Sequence, residues 1–201
     1  MLKRLKQLLM LIGMTAMLSA CSKTVQWEEE VPLNTGEVIW VKRTVEYTLQ
    51  GGGGNPLDIA YRPQWEEQLE FNWQGRSFVY KGEALVMVLA ISPLKVPTLF
   101  ARSSDRGWER NHRHPCSTPS YVQLVPDASG STWSWPPAVE PWAYGLLANL
   151  LLERSLLSEV QKKYSRQARE ARDSLARGQS PSLASIDPTF VFTEHCKLYK
   201  S

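Results

Sequence analysis

Between Glu37 and Gln50 (EVIWVKRTVEYTLQ), Ile39, Val41, Val45, Tyr47 and Leu49 fall on one face of an extended chain. Lys42, Thr44, Glu46 and Thr48 fall on the other. Period-two alternation rich in β-branched residues predicts a half-buried strand. The run Gly51 to Pro56 (GGGGNP) ends it as a flexible turn; a phosphate-binding loop would need Gly-Lys-Ser/Thr after the glycines. Leu69, Phe71 and Trp73 alternate again, Gln74-Gly75 turns the chain, and Phe78 and Tyr80 alternate on the return, which predicts a hairpin. Glu83 to Ser92 (EALVMVLAIS) is a continuous apolar run, as in a strand buried on both faces and central in its sheet. Thr98 to Arg102 and Tyr121 to Val125 add strands, Asp127 to Gly130 is turn chemistry, and Trp133 to Trp135 reads as a short edge piece. Residues 103–118 form a long polar, arginine-rich loop.

After Pro136-Pro137 the period changes. Pro141 suits a first helical position, and Leu146, Leu150, Leu157, Val160 and Tyr164 recur at helical spacing beside Leu147 and Leu151. The stretch is too short to cross a bilayer, so it is expected to pack on the sheet. A second helix over 166–177 places Lys162, Arg166, Arg169 and Arg172 near one face. That face is read as solvated, with contact to anionic headgroups as the alternative. Residues 178–188 read as a loop and Thr189 to Thr193 as a short last strand. Strands first and helices later predict an α+β fold: a mainly antiparallel β domain followed by one or two C-terminal helices. The globular domain is expected over 36–201, β-rich over 36–136, helical over 140–178, with a tail over 179–201. Residues 21–35, which include the acidic run Glu28-Glu29-Glu30, read as a solvated tether.

The chain starts with a basic segment, MLKRLK, then an apolar stretch, Gln7 to Leu18, then Leu18-Ser19-Ala20-Cys21. A basic start, a short apolar run and small residues at a cut site mark a secretory signal over residues 1–20. The LSAC tetrad resembles the lipobox of bacterial lipoproteins. That resemblance implies cleavage before Cys21, diacylglycerol on its thiol and acylation (palmitate, for example) of the new amino group. Several acyl chains, each gaining about 0.8 kcal/mol per buried methylene, make a stable membrane anchor. Ser22 stands where an aspartate tends to retain such proteins at the inner membrane, so the outer membrane, facing the periplasm, is the expected location. WVKR (Trp40 to Arg43), YVQLVP (Tyr121 to Pro126) and SLASIDP (Ser182 to Pro188) also resemble proteobacterial lipoproteins of uncharacterised function.

Composition then narrows the function classes. At 201 residues and 43% hydrophobic content the chain can bury a core. Its net charge of +3 comes from Lys3, Arg4 and Lys6 of the leader, so the remainder is neutral and offers no electrostatic footprint for nucleic acid. Once Cys21 is modified, Cys116 and Cys196 are left. In an oxidising compartment an even count argues for a disulfide. All three histidines adjoin these cysteines, in Asn-His-Arg-His-Pro-Cys (His112, His114) and Glu-His-Cys (His195). A disulfide would gather them, and three imidazoles suit Zn²⁺ or Cu²⁺. Arg110 and Arg113 oppose a cation there, and the plainer reading is a disulfide with exposed polar neighbours.

Eight tryptophans are present, and Trp133, Trp135 and Trp142 cluster among prolines. They read first as packing, with an aromatic platform for a sugar or peptide as the alternative. There is no nucleophile elbow, no zinc-protease motif and no dinucleotide fingerprint, so no catalytic residue and no cofactor is assigned. The sequence therefore points to a membrane-anchored envelope lipoprotein acting as a non-enzymatic binding or scaffolding module. Its partners would be the membrane and an envelope protein or glycan. The alternative class is a periplasmic metal-binding protein or enzyme built on His112, His114 and His195.

Overall fold

The computed structural model describes residues 22–52, 55–102, 119–152, 162–179 and 181–191. Strands β1 (Ser22–Pro32), β2 (Val38–Gly52), β3 (Asn55–Trp73) and β4 (Arg76–Gly82) form an antiparallel meander. Strands β5 (Val86–Ile91), β6 (Pro97–Arg102), β7 (Tyr121–Pro126) and β8 (Trp133–Ser134) form a second antiparallel sheet in chain order. The two-residue strand β9 (Lys163–Tyr164) lies parallel to β1 and gives the first sheet the order β4-β3-β2-β1-β9. Helix α1 (Arg166–Gln179) follows. The fold is α+β dominated by antiparallel β, with a single short C-terminal helix among the described residues.

Alternation aims Val31, Val41, Leu69, Phe71 and Phe78 from the first sheet at Leu89, Leu99 and Leu124 from the second. The other face of the second sheet packs Val88, Phe100 and Tyr121 against Val139, Ala143, Leu152 and Ile186. The second sheet is therefore covered on both sides, which is why all six residues of β5 are buried. The expected hairpin turn is present: Gln74 and Gly75 have φ of 48° and 74°, as a two-residue hairpin loop with both centres left-handed requires. At the β7–β8 turn, the Gly130 carbonyl accepts the Val79 N–H of β4 at 2.9 Å. A Cβ there would lie 2.7 Å from the Ser77 carbonyl oxygen, so only glycine permits the approach.

Several expectations are corrected. Residues 22–32 are not a tether but β1, paired with β2 from Ser22↔Thr48 to Pro32↔Val38. The acidic run clamps other elements. Glu28 pairs with Lys163 at 3.0 Å, and Glu30 accepts the Arg166 N–H, an otherwise orphaned donor at the start of α1. Over residues 144–152 the run of leucines after Pro141 is not a helix either; Leu157 and Val160 lie outside the described residues. A single 3-10 turn (Pro141–Ala143) gives way to an extended strap. Three successive leucines enter three different cores: Leu150 between the sheets, Leu151 beside Trp27 and Tyr47, Leu152 behind the second sheet. An apolar run buried on all sides carries no period that separates helix from extended chain. Tyr164 belongs to β9, and residues 189–191 are turn and coil rather than strand. β5 is buried but lies at the edge of its sheet, not at the centre. Its open edge is closed by side chains: the Asn149 amide bonds Leu89 N–H and C=O, and the Asn34 amide does the same for Ile91. Such covering blocks the strand addition that an open edge invites.

The basic face expected on α1 is not all solvated. Arg169 is 1% exposed and Asp173 is fully buried. They approach an ionic cluster on the inner face of the first sheet, where Glu29, Arg43 and Glu67 are all buried. Arg43 lies 3.6 Å from Glu29 and 3.5 Å from Glu67. It donates to the Leu151 carbonyl at 2.5 Å and the Val86 carbonyl at 3.3 Å. Glu29 accepts Leu151 N–H at 2.6 Å, Asp173 accepts Leu152 N–H at 3.1 Å, and Glu67 accepts Val86 N–H. The charged groups thus stand in for the missing sheet partners of the strap and of the start of β5.

Burial pushes the Glu29 carboxyl above the ordinary glutamate range, with Arg43 opposing the shift. Burial alone would lower the Arg43 pKa, but Glu67, Glu29 and Asp173 together hold it above its usual value. Replacing Arg43→Met strands two buried carboxylates and two carbonyls and is expected to cost about 3–5 kcal/mol, measured by urea unfolding. For Glu29 the folded chain keeps its proton where the unfolded chain has lost it. This group's contribution to stability therefore falls as pH rises from the ordinary glutamate value through the folded one. Glu29→Gln keeps an acceptor for Leu151 N–H and removes the ionisation. The variant's urea midpoint is expected to decline less over that pH window than that of the parent.

Candidate functional site

At one end of the second sheet a cleft of about 560 Å³ opens between the β5–β6 turn, β6, β7 and the segment after β8. Pro93, Leu94 and Val96 form one wall, Val125 part of the floor, and Trp135, Pro136 and Trp142 the facing wall. The prolines fix the backbone of both walls. Lys95, at the tip of the β5–β6 turn, holds a left-handed φ of 60°, and the turn presents Leu94 at 86% exposure. A large apolar side chain so placed at a cleft rim is available to a ligand.

The polar part centres on Glu140. Its Oε2 accepts the Trp142 indole N–H at 2.6 Å and the Gln123 amide at 3.0 Å. Gln123, on the buried stretch of β7, accepts the Glu140 backbone N–H at 2.9 Å in return. Trp142 packs edge-on against Phe100, with ring centroids 5.5 Å apart. The carboxylate is therefore fixed by a buried amide below and an indole beside it, and both bonds use the same oxygen. Among the described residues Oε1 takes no hydrogen bond. The Trp142 and Gln123 hydrogen bonds hold the Glu140 carboxyl below the ordinary glutamate range, so it is ionised at neutral pH.

The three tryptophans singled out from the sequence divide here. Trp135, 40% exposed, and Trp142 line the same cleft. Trp133 turns away, donating its indole N–H to the Val79 carbonyl and packing edge-on against Tyr80, so it belongs to the core between the sheets. Glu140 and Gln123 had no sequence signal: an acidic residue beside prolines and a glutamine inside a strand are ordinary until β7 brings them together. Cys21, His112, His114, Cys116, His195 and Cys196 lie outside the described residues. Among the described residues no group of three histidine, cysteine or acidic side chains is placed to hold a metal ion.

Chemically, the cleft offers aromatic and prolyl faces around one oriented anion. It suits a ligand with a flat apolar face and hydrogen-bond donors at its edge, such as a sugar ring or a peptide segment. Among the described residues that line it, Glu140 is the one carboxylate, and Ser92, Thr98 and Ser134 add hydroxyl groups. No protein-family model, curated protein or solved structure matches the chain.

Trp135→Ala and Glu140→Gln are expected to leave the thermal midpoint within about 0.5 kcal/mol-equivalent of the parent, as exposed substitutions do. Trp142→Phe, which loses the indole donor, is expected to return the Glu140 carboxyl toward its ordinary pKa. Carboxyl-carbon NMR titration of Glu140 in parent and variant measures that shift.

Proposed function

We propose that this chain is an envelope lipoprotein, anchored by lipid on Cys21 and facing the periplasm from the outer membrane. Its β domain works as a non-enzymatic binding module. The leader and the LSAC tetrad support the anchor. The observation that carries the binding role is the carboxylate of Glu140, oriented by Trp142 and Gln123 in a cleft walled by Trp135, Leu94 and prolines. An oriented acceptor beside aromatic faces recognises a glycan: the ring stacks on indole while a hydroxyl donates to the carboxylate.

The cleft needs no chemistry of its own for this role. A ligand that buries the Trp135 face and satisfies the free oxygen of Glu140 gains both area and a charge-assisted hydrogen bond, which is the pattern of a binding site with few well-placed polar groups. Membrane anchoring then confines recognition to ligands within reach of the envelope surface.

Titrating the protein with soluble peptidoglycan fragments is expected to change tryptophan fluorescence, and Trp135→Ala with Glu140→Gln should remove the response. A response that survives both changes, or a peptide without sugar that binds as well as the fragments, overturns glycan recognition at this cleft. Cys21→Ser is expected to move the protein from the membrane to the soluble fraction, with loss of the acyl mass at residue 21 in intact-protein mass spectrometry.

A further inference from the structure

The meander of the first sheet does not stop where β1 begins. Ser22 pairs with Thr48, and Thr48 pairs with Arg62. Beyond that level, among the described residues, β2 and β3 continue as a two-stranded projection, through Leu49↔Tyr61, Gln50↔Ala60 and Gly51↔Ile59. Leu49–Gly52 extends it about 13 Å at about 3.3 Å per residue. The face that carries Val45 and Tyr47 into the core carries Leu49, Tyr61 and Ile59 along this projection. Tyr61 still packs against that core, but Leu49 is 44% and Ile59 60% exposed. On the same face Lys23 holds its ammonium 4.4 Å from the centre of the Tyr61 ring.

We propose that this projection is a membrane-contacting surface, with Leu49 and Ile59 seated at the headgroup–acyl boundary of the bilayer that holds the lipid on Cys21. The inference rests on the lipoprotein reading above. Three observations select the bilayer as occupant. Cys21 is one residue, about 3.8 Å of chain, from the first residue of β1, so no spacer separates the lipid from the sheet. The projection runs past Ser22 in the direction in which the sequence leads back from β1 toward Cys21. Its layers follow the order of an interface: Lys23, a cation with an apolar stem, stands at the base, the Tyr61 ring and its cross-strand partner Leu49 stand level with each other past Ser22, and Ile59 stands beyond them. Residues 48–62 carry one acidic and one basic residue, Asp58 and Arg62, so an anionic surface does not repel the segment. Surfaces that lie on membranes bury about 5–10 Å into this boundary, within the reach of the projection.

The test uses the full-length lipoprotein reconstituted in vesicles of phosphatidylethanolamine and phosphatidylglycerol. An environment-sensitive fluorescent amino acid replaces Leu49, Ile59 or, as control, Val38 at the far end of β2. Lipids spin-labelled near the glycerol end of the acyl chain are expected to quench the probes at 49 and 59 several-fold more than the probe at 38. Equal quenching at all three, or none, overturns the inference. A blue-shifted probe at 59 that spin-labelled lipid leaves unchanged means that protein covers the face, a second copy or another chain, and also overturns it. The mass of residue 21 in the same sample separates the two claims. Acylated and unquenched, the anchor stands and the surface falls; unacylated but quenched, the surface stands and the anchor falls; unacylated and unquenched, both fall.

Discussion

Arg43 points from the inner face of β2 into a space that alternation would otherwise fill with an aliphatic side chain. Around it stand Glu29 from β1 and Glu67 from β3, with Arg169 and Asp173 of α1 close by, all buried. Charges are expensive to bury, and an apolar set of similar volume would often be as stable. Their use here follows from geometry. As far as Leu150 the strap's peptide groups bond the backbone of residues 184–186 and the Met87 carbonyl of β5; those of Leu151 and Leu152 take their partners from charged side chains. Glu29 and Asp173 take two of its N–H groups and Arg43 takes a carbonyl. The cluster is a hydrogen-bonding surface for backbone more than a set of ion pairs. It joins four elements: the meander, β5, the strap and α1.

That junction also ties the two walls of the cleft to one frame. The strap follows directly from the segment bearing Glu140 and Trp142, so fixing Leu150 to Leu152 limits the freedom of the cleft's outer wall. Asn149, one residue earlier, bonds both the edge of β5 and the Pro32 carbonyl at the end of β1. The β5–β6 turn that forms the opposite wall leaves the same edge strand. Both walls of the cleft are therefore built on β5, one through a turn and one through an amide side chain.

The strands were legible where alternation was clean, as in β2, the β3–β4 hairpin and β7. β1 was hidden by its own chemistry. Val25, Trp27 and Val31 alternate, but Glu29 occupies the inward slot between them, and an acidic triplet reads as solvated until a buried arginine is known to face it. The strap was hidden because three neighbouring leucines each enter a different core, which imitates one side of a helix as readily as an extended chain. Arg169 was misplaced because helical spacing groups it with Arg166 and Arg172, while its partners come from a sheet distant in sequence. Trp135 and Trp142 were legible as neighbours among prolines. Glu140 was not, since its orientation depends on Gln123 two elements away.

Leu150, Leu151 and Leu152 give the strap an unusual sensitivity. Because each successive side chain serves a separate compartment, and the N–H groups of Leu150, Leu151 and Leu152 go in turn to Met87, Glu29 and Asp173, the register there is fixed to a single residue. Drift of this stretch by exchange of one aliphatic residue for another leaves every compartment filled. Gain or loss of one residue sends all three leucines to the wrong compartments together. Length, rather than identity, is the property that descent must preserve at this point of the chain.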